Sequence, residues 1–298
     1  QIVTVSPVMT LRDYQIVSVC VYPFQYDKND RSLNVTKKVK ISIKHDSGSN
    51  YTQGHLISKA FEPIYKATIA NYDQIRDNSN AYQKPSILII HPNSTSIESR
   101  LAQLVDWKKI RGFDVKTVTV EEAGNSNSSI KAYIQNEYNN AVNRPDYVLL
   151  IGDANGALAV PTFYEFYAVE GGSGDYPYTH LAGNDLLGDV IIGRMSVDSG
   201  ADFDVMVSKI IFNDKYPTQA GTDWMNRSIL MGETNISGQT CITTNYFIKE
   251  AIKRADPDHV FNELYGEVIN TSTTTATATN GALDFHYRGY YNMNNYTV

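Results

Sequence analysis

The chain has 298 residues, a net charge of −6 and a hydrophobic content of 42%, which is normal for a globular protein that buries a core. Because lysine and arginine are dispersed and do not alternate with aromatic residues, we expect no nucleic-acid partner. No apolar run approaches the ~20 residues that a membrane span needs, so we expect no membrane span either.

Residues 1–45 are predicted to form β structure. Apolar residues alternate from Ile16 to Tyr22, and a turn at residues 27–30 follows. A second strand has five apolar residues on one face: Leu33, Val35, Val39, Ile41 and Ile43. This pattern is typical of a hairpin from a β-sandwich, and since a sandwich needs about seven strands, only a remnant of that module is present.

Residues 46–84 are predicted to be a linker, because Ser, Gly, Asn and Gln occur there without sustained periodicity. The exception is a short helix expected near residues 61–70. The segment contains a single arginine, Arg76.

Strands and helices alternate over residues 85–223, which predicts a first α/β subdomain. Its first three strands are expected at residues 86–91, 113–120 and 146–152. Ser96 is the expected cap of the first helix, and Ser128 or Ser129 that of the second. Apolar strands separated by amphipathic helices predict a parallel sheet that is covered on both faces, with right-handed crossovers.

The most informative stretch runs from Gly174 to Pro217. It begins with a glycine-rich loop that carries three acids: Asp175, Asp185 and Asp189. A short buried strand closed by Gly193 and Arg194 follows. The next apolar residues form the stripe of a helix laid on a sheet: Phe203, Met206, Val207, Ile210 and Ile211.

Residues 224–298 are predicted to form a second α/β unit that is unfinished at Val298. Its expected elements are a strand at 228–232, a helix at 240–254, and strands at 260–265 and 282–287. A turn at Asn280 and Gly281 introduces the last strand. Glu233 follows the first strand, at the carboxyl end where open α/β sheets usually place their sites.

The stretch from Gly174 to Pro217 resembles the corresponding region of the gingipain-like cysteine peptidases. The matched positions are Tyr178, Gly183, Asn184, Asp185, Asp189, Val190, Ile192, Gly193 and Arg194. Looser similarity extends over residues 15–291. The resemblance implies a caspase-like parallel-sheet α/β sandwich, preceded by the end of an all-β N-terminal prodomain in residues 1–45. It also makes Arg76 a candidate processing site.

The resemblance further implies a secreted or cell-surface cysteine endopeptidase that cleaves protein or peptide substrates by a Cys–His mechanism and requires no cofactor. In the family the base is a His that follows a Gly after an Asn–Gly turn. Here the residue after Gly289 is Tyr290, and tyrosine titrates near ~10. His286 lies four residues earlier and is the other candidate. The family's nucleophilic Cys would lie beyond Val298, so we expect this chain alone not to hydrolyse peptides.

Glu233 is the candidate for the carboxylate that orients the catalytic His in the family. Arginine-specific members have a substrate-binding acid further along the chain, but residues 238–245 contain none. Basic specificity is therefore not predicted. Cys241 lies in that stretch, and its helical context predicts a structural thiol rather than the nucleophile.

Four acids suggest a metal site: Asp153, Asp175, Asp185 and Asp189. Carboxylates among glycines suit Ca²⁺ better than Zn²⁺, and the resemblance implies structural calcium. The sequence contains no EF-hand pattern, however, and the alternative is that these residues hold turns.

Two functions from different classes stay open. The first is a gingipain-like cysteine peptidase. The alternative is a catalytically degenerate peptidase-like domain that acts as a surface binding module, which Tyr290 favours. A nucleotide-binding domain is set aside, because neither G-x-G-x-x-G nor G-x-x-x-x-G-K-[ST] follows a predicted strand.

Overall fold

The computed structural model describes residues 2–42, 56–76, 81–140, 142–167, 170–219, 221–233 and 239–266. The chain divides into two compact units, residues 1–213 and residues 214–298. No helix in the described ranges is long and apolar enough to cross a membrane. The domain boundaries expected after residues 45, 84 and 223 stay predictions.

The N-terminal β region consists of three two-stranded antiparallel ribbons. They pair β1 (Val3–Val5) with β4 (Val19–Val21), β2 (Met9–Leu11) with β3 (Tyr14–Ile16), and β5 (Phe24–Asp27) with β6 (Ser32–Val35). The strand predicted to run from Leu33 to Ile43 ends at Val35, and residues 36–42 have no regular structure. Because Leu33 and Val35 are exposed on a two-stranded ribbon, their alternation buries no sheet face that would extend the strand.

The segment predicted to be a linker contains two helices, α1 (Glu62–Thr68) and α2 (Tyr72–Ile75). They form a buried cluster with β2 and β3: Leu11, Tyr14, Phe61, Tyr65, Ile69 and Tyr72. The ring of Tyr14 meets those of Tyr65 and Tyr72 edge-on, with centroids 4.8 and 5.6 Å apart. The segment is therefore packed, and the i, i+4, i+8 spacing of Phe61, Tyr65 and Ile69 was the helical signal for it.

A four-stranded parallel sheet forms the centre of the first unit. Its strands are β7 (Ser86–His91), β8 (Asp114–Thr119), β9 (Tyr147–Ile151) and β12 (Ile191–Met195), in the order β12-β9-β7-β8. Its helices are α3 (Thr95–Ile110), α4 (Val120–Ala123), α5 (Asn127–Asn140) and α6 (Gly200–Lys215). An antiparallel hairpin of β10 (Phe163–Tyr167) and β11 (Glu170–Gly174) falls between β9 and β12 in the chain.

Both faces of this sheet are buried, as predicted. One core joins β7 to α5 through Leu88, Ile90, Ile130 and Ile134. The other core joins β7 to α3 and α6 through Ile87, Ile89, Ile97, Leu104, Phe203 and Val207. Successive β7 side chains alternate between the two cores, as a pleated strand requires. The α/β class, with a β-rich region before a parallel sheet, is confirmed.

Two helices begin earlier than their predicted caps. Ser94, not Ser96, caps α3, because Ser94 has extended backbone angles and its Oγ accepts from the N–H of Ser96 at 3.4 Å. In α5, Ser126 Oγ accepts from the N–H of Ser129 at 3.1 Å. Ser128 and Ser129 therefore lie inside the helix, whose first residue is Asn127.

The second unit contains a parallel pair of strands, β13 (Arg227–Glu233) and β14 (Val260–Gly266). Helix α7 (Gln239–Ala255) crosses between them, so the strand–helix–strand order matches the one expected over residues 228–265. Leu230 and Phe261 are buried in this unit. Because the strands are parallel, their carboxyl ends lie at the same edge.

Candidate functional site

Arg194 organises the carboxyl edge of the central sheet. Its Nε and Nη2 atoms donate to the two carboxylate oxygens of Asp175, each at 2.8 Å. Its Nη1 donates to the carbonyl oxygens of Gly152 and Val160 at 2.8 and 2.9 Å. The guanidinium therefore ties β12 to the loop after β9 and to the residue that follows β11. This is the edge where an open α/β fold usually places a site.

Two of the acids proposed as metal ligands lie at this edge. Burial raises the pKa of Asp175, but the hydrogen bonds from Arg194 and Thr162 outweigh burial, and its pKa lies below the ordinary value. Asp153 accepts from the Ser196 hydroxyl and from the N–H of Ala154, both at 2.8 Å. These two bonds, the one from Ser196 first, hold the pKa of Asp153 below its ordinary value. Both carboxylates are thus ionised and have protein donors.

Asp189 is fully buried just before β12, at the opposite edge of the sheet. One carboxylate oxygen accepts from the N–H of Arg12 at 2.8 Å. The other accepts from the N–H groups of Leu181 and Ala182 at 2.8 and 2.6 Å. Burial raises the pKa of Asp189, and the three hydrogen bonds offset only part of that effect. Asp189 therefore organises backbone groups around itself.

The four acids proposed as calcium ligands lie in two separate places. Asp153 and Asp175 lie at the carboxyl edge, whereas Asp185 and Asp189 precede β12. Asp185 accepts from the N–H groups of Thr10 and Leu187 at 2.7 and 2.8 Å. Within the described parts of the chain, no three His, Cys, Asp or Glu side chains gather as a metal cluster. Structural calcium at these acids, which the family resemblance implies, stays a prediction.

The three candidate catalytic residues are not brought together by the described structure. Glu233 is the last residue of β13, and its register partner is Gly266, the last residue of β14. Its backbone thus lies at the carboxyl edge of the parallel pair, where the sequence placed it. His286 and Tyr290 lie outside the described residues. The catalytic roles of all three stay predictions.

A Ser–His–Asp chain of hydrogen bonds lies at the other end of the same strands. The Ser228 hydroxyl is 2.9 Å from His259 Nε2, and His259 Nδ1 is 3.2 Å from the Asp256 carboxylate. No sequence pattern marks these residues, because Ser228 is 28 or more positions from the other two, and Asp256 and His259 share only a turn. Their hydrogen bonds join the start of β13 to the turn between α7 and β14.

Asp146 is a buried acid that the sequence analysis also missed. Its Oδ1 accepts from Arg12 Nη2 at 3.1 Å, from the Ser58 hydroxyl at 2.5 Å and from Gln83 Nε2 at 2.8 Å. Its Oδ2 accepts from the N–H of Ser86 at 3.2 Å. Asp146 therefore connects the N-terminal 58 residues to the amino edge of the central sheet, which no local sequence pattern signals.

Comparison with known proteins decides the family. A sequence model described as Peptidase family C25 matches residues 80–296, and a model of the C25 propeptide matches residues 1–79. The chain belongs to peptidase family C25. It is therefore related to cysteine peptidases, and the gingipain-like resemblance is confirmed. The C25 propeptide match covers the ribbons and the Tyr14–Tyr65 cluster, and the C25 peptidase match covers both α/β units.

Curated C25 relatives are distant and longer. Gingipain R2 from the bacterium Porphyromonas gingivalis is 24% identical over 278 residues, which cover 86% of this chain and 36% of that protein. Lys-gingipain from the same organism is 23% identical over 276 residues, or 86% of this chain and 15% of the relative. The chain thus spans about a third of the length of Gingipain R2 and less of Lys-gingipain.

Solved structures also match. One described as the complex of Porphyromonas gingivalis RgpB pro- and mature domains is 20% identical, with a TM-score of 0.48, and the match covers 63% of this chain and 43% of that one. Gingipain R (RgpB), an Arg-specific cysteine proteinase, gives a TM-score of 0.46 at 20% identity over 63% of this chain and 42% of that one.

Proposed function

We propose that this chain is part of a gingipain-like cysteine endopeptidase that cleaves protein or peptide substrates. The observation that carries the proposal is the succession of a propeptide match over residues 1–79 and a peptidase match over residues 80–296. Because the chain spans about a third of Gingipain R2, the activity is proposed for the whole protein that contains it.

In this mechanism a cysteine thiolate attacks the substrate carbonyl, and a neighbouring base accepts the thiol proton. Glu233 orients that base from the carboxyl end of β13. The position of its backbone beside the end of β14 supports this role. Tyr290 stands at the family position of the base, and His286 is the second candidate. The absence of an acid from residues 238–245 supports a substrate preference other than arginine.

The proposal includes secretion or a cell-surface location. It is supported by a composition of 21 tyrosines and only 19% charged residues, which suits an exported bacterial protein. No cofactor is required for the Cys–His chemistry, and we propose no nucleic-acid partner because the chain is acidic and its basic residues are dispersed.

The alternative function is a catalytically degenerate peptidase-like domain that binds other proteins at the surface. The observation that favours it is Tyr290, since a phenol of pKa near ~10 is a poor base at neutral pH. In that case the parallel-sheet architecture is retained and hydrolysis is lost.

A cleavage assay on the full-length protein separates the two functions. Quenched fluorescent casein is incubated with the wild type and with Tyr290→His under reducing conditions. Cleavage by the wild type supports the peptidase. No cleavage by the wild type, with cleavage appearing in Tyr290→His, supports a degenerate domain whose remaining machinery is intact. No cleavage by either protein contradicts the peptidase proposal.

A further inference from the structure

Arg12 is a fully buried arginine in the N-terminal segment. It lies at the tip of the β2–β3 hairpin in a left-handed conformation with φ of 51°. Its side chain has 0% exposure. Arginine is almost never buried so completely unless its charge is paired. The surroundings of Arg12 must therefore be built to receive a guanidinium.

The pocket contacts the guanidinium both through hydrogen bonds and through aromatic rings. Nη1 donates to the carbonyl oxygens of Pro145 and Asp189 at 2.9 and 2.6 Å, and Nη2 donates to Asp146 Oδ1 at 3.1 Å. The carbon at its centre lies 4.8 Å from the ring centroid of Phe61 and 5.5 Å from that of Tyr138. A planar fork with several donors fits these acceptors, whereas the compact ammonium of lysine does not.

The backbone beside the pocket is held at the end of β2 and in the turn that follows it. The N–H of Thr10 donates to Asp185 at 2.7 Å, and the N–H of Arg12 donates to Asp189 at 2.8 Å. Thr10 lies in β2, whereas Arg12 lies in the β2–β3 turn, so the two donors come from a hairpin and its turn. Two carboxylates thus accept from N–H groups of the hairpin while the guanidinium enters the pocket, and both the main chain and one side chain are recognised.

The pocket lies at the amino edge of the central sheet, opposite the carboxyl edge that Arg194 organises. Pro145 and Asp146 immediately precede β9, and Asp189 precedes β12, so the guanidinium is bound at the amino edge of the parallel sheet. Apart from Phe61 and Asp13, the groups that contact it belong to the part of the chain matched by the peptidase model. Removal of the N-terminal segment would therefore leave most of the pocket in place.

We propose that this pocket, at the amino edge of the central sheet, is a recognition site for an arginine carried on a polypeptide turn. In this chain the segment around Thr10 and Arg12 fills it. Once that segment is removed, an arginine-bearing turn of another protein takes its place. The second step rests on the proposed function, because it assumes that residues 1–79 act as a removable propeptide.

The first test asks whether the pocket selects a guanidinium. The full chain is made with Arg12→Ala and is melted with ethylguanidinium or with ethylammonium, which has the same charge but no planar fork. We expect ethylguanidinium alone to raise the Tm of Arg12→Ala, by about 3 °C at a concentration tenfold above its Kd. If Arg12→Ala does not fold by itself, the readout is the yield of folded protein after refolding with each compound.

Arg31→Ala is the matched control. Arg31 also has a left-handed backbone, with φ of 48°, and it is exposed in the turn between β5 and β6. Its replacement by alanine should give no response to ethylguanidinium. An equal rise in the Tm of Arg12→Ala with both cations, or no rise with either, would contradict the proposal that the pocket selects a guanidinium.

The second test addresses the polypeptide ligand. A specific protease site is inserted at residues 77–80 of the Arg12→Ala chain, the chain is cut, and a fluorescent peptide with the sequence of residues 7–16 is added. We expect the peptide with arginine at position 12 to bind at least tenfold more tightly than the same peptide with citrulline. Equal binding, or none, contradicts the proposal. Neither test measures cleavage. A negative result in the peptidase assay can therefore be distinguished from a negative result for arginine recognition by the pocket.

Discussion

Arg194 and Asp175 form a two-point ion pair, in which Nε–Oδ2 and Nη2–Oδ1 are both 2.8 Å apart. Both residues lie in the stretch from Gly174 to Pro217 that most resembles gingipain-like peptidases, and Arg194 is the last of its matched positions. Since the same guanidinium also holds the carbonyls of Gly152 and Val160, it sets the path of the chain at the carboxyl edge of the sheet. Arg194 therefore has a structural role in this motif.

Replacing the guanidinium should lower stability. Arg194→Lys keeps the charge but cannot donate to both oxygens of Asp175 and to two carbonyls, so we expect a loss of about 2–3 kcal/mol in the free energy of unfolding in urea. Arg100→Lys is the control, because Arg100 pairs with the exposed side chain of Asp204. That change should cost under ~0.5 kcal/mol. Equal losses would show that the pair at the carboxyl edge has no special structural role.

The ion pair between Arg194 and Asp175 should also affect how the free energy of unfolding falls at acidic pH. Because the pKa of Asp175 is lower in the folded chain than in the unfolded one, its stabilising contribution is fully present above the unfolded value near ~4. That contribution is lost as the pH falls through the lower folded pKa. Urea unfolding at several pH values should therefore show a shallower acid decline for Asp175→Asn than for the wild type. Identical slopes would contradict the lowered pKa.

Gly152 is required by both conformation and space. Its φ is 131°, and a Cβ there would lie 1.9 Å from the carbonyl oxygen of Leu158. We expect Gly152→Ala to cost about 3 kcal/mol or more, measured as the free energy of unfolding. Gly112 is the matched control, since its φ is 93° but a Cβ would meet nothing within 4 Å. Gly112→Ala should cost only the left-handed strain of about 1–2 kcal/mol.

Sequence periodicity predicted the central sheet well. The strands at 86–91 and 146–152 are short apolar runs whose side chains are buried, so composition alone marks them. The helix stripe beginning at Phe203 faces the core, where Phe203 and Val207 are buried and Met206, Ile210 and Ile211 are partly buried. These elements are local, and local pattern is enough to predict them.

Long-range contacts were beyond sequence reasoning. Arg12 meets Asp146 and Asp189 across more than 130 positions, and nothing near Arg12 marks it as buried. The sequence likewise shows the carboxylates of the acidic loop but not the N–H groups of Thr10 and Arg12, which donate to Asp185 and Asp189. The helix caps were predicted two or three residues too late for a similar reason. Several serines lie at the start of each helix, and only the backbone angles show which of them is the cap.

The corrected cap of α5 gives a direct comparison between neighbouring serines. Ser126→Ala removes the hydroxyl that accepts from the N–H of Ser129 and should cost about 1 kcal/mol. Ser128→Ala changes a residue inside the helix and should alter the free energy of unfolding by less than ~0.5 kcal/mol. A larger loss from Ser128→Ala would restore the cap predicted from the sequence.

The central claim is that this chain is part of a cysteine peptidase, and labelling of the catalytic thiol tests it most directly. The full-length protein is treated with iodoacetamide under reducing conditions, its cysteines are mapped by mass spectrometry, and casein cleavage is followed in parallel. We expect one cysteine beyond Val298 to be labelled stoichiometrically and cleavage to disappear with the same rate constant. A protein that cleaves casein equally well after complete labelling of its cysteines, or that never cleaves it, would contradict the claim.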